Sequence, residues 1–264
     1  MQSYAPVYHG LVALAVLSAC SGSEDPGDDD TGSEPPGLEA VCTEPAPPTC
    51  VDEMISDLSL HDDKVADTAE VSNVVDGTDY VTSIDATAGG FDVAAQNPWV
   101  YVKFTEDGAE RVDIDDDSAL GSMDWDLAAH RFKLRLNGGT SGPSCVGAMP
   151  FLERSYEDLT EVPDDAVFAL DDFYSDDCTL INDSSGLPGS PQVALSAWWH
   201  YPEGPQGGCV ATTEVPFLVQ LADGHVLKLR VEQYYGSGQE NCNGEQHQVG
   251  SDSGKLQIRW TYLQ

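Results

Sequence analysis

The sequence predicts a mostly β protein built as a single antiparallel β domain with long loop insertions. Short segments rich in β-branched and aromatic residues recur along the chain, and several alternate apolar and polar residues with a period of two. Turn signals containing Gly separate these segments. No composition break divides the chain after residue 41, so residues 42–264 are expected to form one domain with a sizeable core.

The amino terminus, residues 1–19, is predicted to be a signal peptide. The run GLVALAVLSA from Gly10 to Ala19 has the length of a secretory apolar core and is too short to cross a bilayer as a helix. It leads into Cys20, a pattern similar to the lipobox of bacterial lipoproteins, in which the cysteine after the cut carries lipid. The run lacks the usual basic residues, so an ordinary signal peptide with a chance cysteine is the alternative. We expect an exported protein lipidated at Cys20.

The next segment, residues 20–41, is predicted to be a disordered acidic linker. Between residues 21 and 40 the chain carries seven acidic residues, several Gly and Pro, and no basic or aromatic residue. Such a stretch buries too little apolar surface to offset the entropy lost on ordering. It would hold the domain away from a membrane as an extended tether.

Six segments are predicted to be strands of the domain. They are Asp79–Ile84, Trp99–Phe104, Phe132–Leu136, Phe217–Leu221, Val226–Val231 and Leu256–Tyr262. The turn signals between them are Asp76-Gly77, Asp107-Gly108, Asn137-Gly138-Gly139 and Asp223-Gly224. Only Asp52–His61 and Tyr156–Thr160 have weakly helical patterns. The basic residues on the polar side of these strands are expected to pair with acidic neighbours: Lys133, Arg135, Lys228, Arg230 and Arg259.

A long insertion separates Gly139 from Phe217 and has weak periodicity. Loops of this size in a compact domain are usually functional or tied down. The insertion holds one histidine, His200, and it holds one methionine, Met149. His200 lies in the aromatic run Trp198-Trp199-His200-Tyr201.

The formal net charge of −35 excludes two kinds of partner. Nucleic acid and anionic lipid surfaces both require patches of Lys or Arg, so membrane contact is expected through the lipid anchor alone. A solvated acidic surface suited to a salt-tolerant organism is the favoured interpretation. Divalent-cation binding by part of that surface is the alternative.

Six cysteines besides Cys20 predict three disulfides in an exported chain. Fifteen connectivities are open from the sequence alone. Cys42 and Cys50 bracket a Pro-rich loop and are expected to pair locally, and Cys209 and Cys242 flank predicted strands and are expected to pair with each other. Elimination leaves Cys145 with Cys178. The spacing does not favour a thiolate metal site.

A calcium site and an enzymatic site are both disfavoured. Asp113, Asp115, Asp117 and Asp124 imitate the spacing of a calcium loop, but Ser118 stands where the sharp turn needs Gly and Asp124 replaces the bidentate Glu. For catalysis, the sequence lacks a GxSxG elbow, an HExxH pair and a phosphate-binding Gly loop. We therefore expect a non-enzyme.

Several segments together resemble, in order and spacing, the HmuY-type haem-binding lipoproteins. They are WVYVKF, DWDLAAHRFKLRLNGG from Asp124, WWHYP from Trp198, PFLVQLADGHVLKLRVEQYY from Pro216, and GKLQIRWTY at the carboxyl terminus. The resemblance covers roughly residues 70–264. It implies a hand-shaped, mostly β fold that grips haem, a lipid anchor in the outer membrane at the cell surface, and haem capture for uptake.

In this family two His or Met side chains hold the haem iron, and they project from the insertion. The resemblance therefore implies Met149 and His200 as axial ligands, with Trp198, Trp199 and Tyr201 as pocket walls. A six-coordinate haem needs two such donors on opposite faces of an apolar pocket. The alternatives are a surface role for His200 and packing for Met149.

Two functions from different classes follow. The first is a surface-tethered module that takes haem, free or from a haem-carrying protein, and passes it to an outer-membrane uptake receptor. The second is a lipid-anchored β domain that has lost haem binding and serves adhesion or protein interaction.

Overall fold

The computed structural model of the protein describes residues 38–203 and 208–263. The predicted signal peptide and Cys20 lie outside these residues. Within them the strands are β1 (Val71–Asp76), β2 (Asp79–Asp85), β3 (Val100–Thr105), β4 (Gly108–Val112), β5 (Leu127–His130), β6 (Lys133–Leu136), β7 (Gly147–Pro150), β8 (Trp199–His200), β9 (Ala211–Thr212), β10 (Phe217–Gln220), β11 (Val226–Tyr235) and β12 (Ser253–Leu263). All six predicted strands are present, which confirms the mostly β fold.

The helices are few and short in the described part of the chain. Their bounds are Asp116–Ala119 for α1 and Glu240–Asn243 for α2, with 3-10 helices at Phe91–Gln96 and Ser196–Trp198. The two predicted helices are wrong. Asp52–His61 and Tyr156–Thr160 form turns instead. In the first segment Ser56 and Asp57 have φ of 47° and 66°, which a right-handed helix cannot contain.

Every strand pair in the structure is antiparallel. One sheet has six strands in the order β1-β2-β12-β11-β10-β7, and a second has four in the order β4-β3-β5-β6. A small third sheet pairs β8 with β9. The long strands β11 and β12 form the centre of the larger sheet and extend from one end of the domain to the other.

The main hydrophobic core joins one face of the six-stranded sheet to one face of the four-stranded sheet. Alternate residues of each strand supply it, such as Val100 and Val102 from β3 and Ile258 and Trp260 from β12. Trp260 stacks on Tyr80 with ring centroids 4.8 Å apart. The indole N–H of Trp260 donates to Thr82 Oγ1 at 2.8 Å.

A second core covers the other face of the four-stranded sheet. Trp99 and Tyr101 point to this side from the start of β3, and irregular chain packs on them from two directions. Ile55 and Leu58 come from the amino-terminal segment, and Phe173 comes from the insertion. The long insertion is therefore part of the packed domain.

This second core encloses Lys133 and Arg135, and the expected pairing with an acidic residue is confirmed for Lys133 and wrong for Arg135. Both alternate outward along β6 as expected, but they are 2% and 1% exposed because the covering chain encloses them. Lys133 pairs with Asp183 of the insertion at 3.6 Å. Arg135 donates to Tyr101 Oη and to the carbonyl of Ser141, each at 2.6 Å, and lies over the ring of Trp99.

Three disulfides use the six predicted cysteines, but two of the expected pairings are wrong. The Cys209–Cys242 pairing is confirmed. Cys42 joins Cys145 and Cys50 joins Cys178, so each bond ties the amino-terminal segment to the insertion. The Pro-rich stretch between Cys42 and Cys50 runs along the domain without regular structure, so it carries its two ends to different partners.

Within the described residues, no helix combines the length and the apolar character needed to span a bilayer.

Candidate haem-binding cleft

The structure does not bring Met149 and His200 into one cavity. Met149 lies on β7 and pairs across with Leu218, on the face of the six-stranded sheet opposite the main core. His200 ends β8 in the two-stranded sheet and is exposed. Neither side chain lines the cavities of about 680 and 670 Å³ described below.

The three predicted wall residues have different surroundings. Trp198 and Trp199 are almost fully buried in the main core, where the ring of Trp199 lies 4.9 Å from that of Phe132. Tyr201 is half-buried and lines a cavity of about 680 Å³. Of the residues proposed from the sequence for haem binding, Tyr201 is the one that this cavity includes.

We call this cavity the aromatic cleft. Its residues come from the amino-terminal segment, the 3-10 helix before β3, the β5–β6 turn, the insertion, the end of β11 and the chain between α2 and β12. They include Met54, Phe91, Arg131, Phe132, Leu187, Tyr201, Val210, Tyr234, Tyr235 and Val249. Its volume is within the usual range for small-molecule and cofactor sites.

The floor of the aromatic cleft is fixed by the end of β11. Tyr234 and Tyr235 are each 2% exposed, and their rings meet edge to face with centroids 4.9 Å apart. Tyr235 Oη accepts a hydrogen bond from the N–H of Val210 at 2.9 Å. Gln239 bridges the same region, since it donates to the carbonyl of Val210 and accepts from the N–H of Tyr234. The Cys209–Cys242 disulfide closes this network.

Burial raises the pKa of both floor tyrosines. For Tyr234 the loss of hydration is the largest cause, and the neighbouring Tyr235 adds to it. For Tyr235 burial raises the pKa, while the hydrogen bond from Val210 opposes the shift. Both phenols therefore stay protonated at neutral pH and give the cleft a neutral floor.

The rim of the aromatic cleft carries exposed apolar side chains. Met54, Phe91 and Val249 are 55%, 43% and 53% exposed. Met54 is held in place by its neighbour Ile55, which is buried and bonds through its main chain to Leu58 at 2.8 Å in both directions. A cluster of exposed apolar side chains around a cavity marks a surface that binds an apolar partner.

Arg131 supplies the positive charge of the cleft. It occupies the two-residue turn between β5 and β6 with φ of 54°, and its N–H donates to the carbonyl of Ala86 at 2.7 Å. Its guanidinium carbon lies 5.4 Å from the ring centroid of Phe91 and the same distance from that of Phe132. The Nε atom is buried and has no hydrogen-bond partner within the described residues.

The buried pair Lys133–Asp183 lies behind the aromatic cleft. The Lys133 ammonium lies 5.0 Å from the ring centroids of Phe132 and Trp199, and it also hydrogen-bonds Ser190. Burial lowers the pKa of Lys133 to about 8, against the opposing effect of Asp183. The pair attaches the insertion to β6 and so positions the side of the cleft that the insertion supplies.

A second cavity of about 670 Å³ lies at the opposite end of β11. It contains His225, whose Nδ1 is 3.1 Å from Asp223 Oδ2 and whose ring meets Tyr262. Two aromatic rings of Phe and Tyr line this cavity, whereas five line the aromatic cleft. The aromatic cleft is therefore better suited to a flat, conjugated ligand.

The four carboxylates whose spacing imitates a calcium loop have separate partners. Asp115 caps α1 by accepting from the N–H of Ser118, and Asp113 pairs with Arg111 at 2.8 Å. Asp117 contacts His61, and Asp124 accepts from Ser122. Across residues 38–203 and 208–263, no three His, Cys, Asp or Glu side chains are grouped to hold a metal ion.

The sequence reasoning missed most of the cleft. Tyr234 and Tyr235 carry a signal, since they end the segment PFLVQLADGHVLKLRVEQYY that resembles the haem-binding family. Phe132 begins the predicted strand Phe132–Leu136, but the observed strand starts at Lys133, so Arg131 and Phe132 together form the turn after β5. Met54 carries no signal, because only the fold of the amino-terminal segment brings it to the cleft.

The chain is similar to several solved structures at low sequence identity. No curated protein matches the chain. A protein from Bacteroides vulgatus described as HmuY-like and heme-binding is 16% identical, with 73% of this chain and 98% of that chain covered and a TM-score of 0.46. The apo HmuY analog of Tannerella forsythia is also 16% identical, with 74% and 97% covered and a TM-score of 0.42. A lipoprotein from Bacteroides fragilis is 15% identical, with 73% and 95% covered and a TM-score of 0.41.

The family model described as HmuY protein matches residues 95–246, which is more than half of the chain. The matched range includes the four-stranded sheet from β3 onward, the insertion and β11, and therefore most of the aromatic cleft. The chain belongs to the HmuY family.

Proposed function

We propose that the protein binds haem in the aromatic cleft and captures it for uptake without catalysing a reaction. The observation that carries this proposal is a cleft with five aromatic rings, exposed apolar side chains at the rim, one arginine and one aspartate, Asp57, on a chain of the HmuY family. The sequence resemblance to haem-binding lipoproteins supports the same ligand.

The residues of the cleft fit a haem. Aromatic walls stack on a porphyrin face, and exposed apolar side chains at the rim gain by covering it. Haem iron accepts Met, His or Tyr donors, and the cleft offers the Met54 thioether and the half-buried Tyr201 phenol. The phenols of Tyr234 and Tyr235 also line it, but burial raises the pKa of both and keeps them protonated. The buried, unpartnered Nε of Arg131 fits a haem carboxylate. When bound, haem supplies the iron, and the residues of the chain hold and cover the macrocycle.

Met149 and His200 remain the competing pair of axial ligands. They would hold haem at a different surface, since the two side chains belong to different sheets and lie outside the aromatic cleft. Haem binding in the aromatic cleft depends on Met54, whereas binding by the sequence-derived pair depends on Met149. Substituting each methionine therefore distinguishes the two proposals.

We further propose that the protein is exported and anchored by lipid on Cys20 at the outer membrane. Three disulfides suit an oxidising compartment. A haem-carrying protein as donor and an outer-membrane receptor as acceptor are the proposed partners.

Absorbance titration with haemin tests the proposal. The purified protein at micromolar concentration is expected to give a Soret shift. Met54→Leu preserves volume but removes the thioether, so it is expected to weaken binding and alter the bands. Met149→Leu is the matched control and is expected to bind as the unsubstituted protein does.

The other outcomes are equally informative. If Met149→Leu and His200→Ala abolish the shift while Met54→Leu does not, the sequence-derived ligand pair is right and the cleft assignment is wrong. If His225→Ala alone abolishes it, haem occupies the second cavity. If the unsubstituted protein gives no shift, haem capture is wrong and the adhesion or interaction module is favoured.

A further inference from the structure

We infer that Arg131 makes the aromatic cleft selective for flat aromatic ligands that carry a free carboxylate. The inference rests on the proposed function, because it concerns the same cleft. It goes beyond haem binding as such, since it names the feature of the ligand that this chain recognises apart from any metal.

Positive charge is scarce in this chain. The chain has 46 acidic residues and 11 Lys or Arg residues, and most of the basic side chains form ion pairs with carboxylates. The paired ones are Lys64, Arg111, Lys133, Arg230, Lys255 and Arg259. In the described part of the chain, the Arg131 side chain has neither a hydrogen bond nor an ion pair.

Arg131 is held in place by contacts of its backbone and of its side chain. Its backbone is fixed by the tight β5–β6 turn and by the hydrogen bond to Ala86. Its guanidinium lies near the rings of Phe91 and Phe132, both of which line the cleft. A guanidinium held in this way loses little side-chain entropy when it binds a ligand.

The Nε atom of Arg131 is buried and has no hydrogen-bond partner among the described residues. A buried donor without a partner costs free energy, and a ligand acceptor removes that cost. Guanidinium presents paired N–H groups that match the two oxygens of a carboxylate. Because aromatic rings surround it, the matching ligand has a carboxylate attached to a flat apolar ring system.

Arg154 provides a comparison within the same chain. It also lies over a phenylalanine ring, that of Phe151, at 5.7 Å and has no carboxylate partner among the described residues. However, Arg154 lines neither large cavity, and it has no buried unpartnered nitrogen. It is therefore a matched control for charge and for aromatic contact.

Metal-free protoporphyrin and its dimethyl ester test the inference, with binding followed by quenching of protein fluorescence. Both lack iron, so axial ligation plays no part. The unsubstituted protein is expected to bind the diacid at least about tenfold more tightly than the diester. Arg131→Asn, chosen because Asn tolerates positive φ, is expected to remove that preference. Arg154→Asn is expected to keep the preference.

The outcomes separate this inference from the proposed function. Equal affinities for diacid and diester in the unsubstituted protein would overturn the inference, as would an undiminished preference in Arg131→Asn. If Arg131→Asn fails to fold, Arg131→Lys is the second variant, since it keeps the charge but loses the paired N–H groups of the guanidinium. An undiminished preference for the diacid in Arg131→Lys would overturn the inference. A diacid preference that depends on Arg131, together with no Soret shift with haemin, supports the inference and rejects haem capture.

Discussion

Asp126 is a buried carboxyl group close to the β3–β4 turn. Its Oδ2 accepts a hydrogen bond from the N–H of Phe104 at 2.8 Å, and the residue is 5% exposed. Burial raises the pKa of Asp126 to about 6, while the hydrogen bond from Phe104 and the charge of Lys103 oppose the shift. The folded state therefore holds this proton more tightly than the unfolded chain does.

The pH dependence of stability follows from that shift. The free energy that Asp126 adds is fully present below the unfolded pKa near 4, and it is lost as the pH rises through about 6. Asp126→Asn removes the titration. The free energy of unfolding is therefore expected to depend less on pH in the variant. Between pH 4 and pH 7 its decrease is expected to be smaller than that of the unsubstituted protein by up to about 3 kcal/mol.

Denaturant unfolding at several pH values measures this difference. Asp124→Asn, two residues away and exposed, is the control and is expected to leave the pH dependence unchanged. The same slope in Asp126→Asn and in the unsubstituted protein would show that Asp126 does not titrate in this range.

Single residues show where sequence reasoning stops. Tyr201 could be predicted as a pocket residue because it belongs to an aromatic run in the insertion. Lys133 and Arg135 could be assigned to one face of β6, but their burial depends on chain that is distant in sequence. Met54 reaches the cleft through the fold of the amino-terminal segment, which no local pattern reveals.

At the scale of elements, Asn73 joins the two sheets. Its Nδ2 donates to the carbonyl of Ala109 at 2.9 Å, and its Oδ1 accepts from the N–H of Ala109 at 3.0 Å. Thr82 also donates to Oδ1 at 2.7 Å. The Asn73 side chain on β1 therefore makes the hydrogen bonds to Ala109 that a neighbouring strand would make along the edge of β4.

Asn73→Ala is expected to destabilise the fold by about 1–3 kcal/mol, because it leaves the N–H and carbonyl of Ala109 without these partners. Chemical denaturation measures the change. Val75→Ala on the same strand is the control, since Val75 is 67% exposed and its truncation is expected to change stability by less than about 0.5 kcal/mol. Similar effects of the two substitutions would contradict the bridging role of Asn73.

The strands themselves were predictable where one face of the strand is buried and the other is exposed to solvent. β2, β11 and β12 alternate in this way, and their positions follow from the period of two. β5 reads Leu-Ala-Ala-His and β7 reads Gly-Ala-Met-Pro, so neither alternates apolar and polar residues, whereas the equally short β6 reads Lys-Leu-Arg-Leu and does. The predicted helices failed for a related reason, since short apolar runs do not reveal which neighbour they will pack against.

For the whole molecule, the charge of −35 sets the response to salt. Repulsion among the carboxylates opposes the compact state, and added ions screen it. The free energy of unfolding at neutral pH is expected to rise between about 0.01 M and 0.5 M sodium chloride. The rise is expected to shrink near pH ~3.5, where most exposed carboxyl groups are protonated. A fall in stability with salt at neutral pH would show that attractive pairs dominate.

The two bonds from the amino-terminal segment impose an order on oxidation. A chain that enters an oxidising compartment amino terminus first exposes Cys42 and Cys50 together, while their final partners lie 103 and 128 residues further on. The nearest thiols meet first, so an early Cys42–Cys50 bridge has to be broken by thiolate exchange before the domain can close. Maturation of this protein is therefore expected to depend on a disulfide isomerase more than on an oxidant alone.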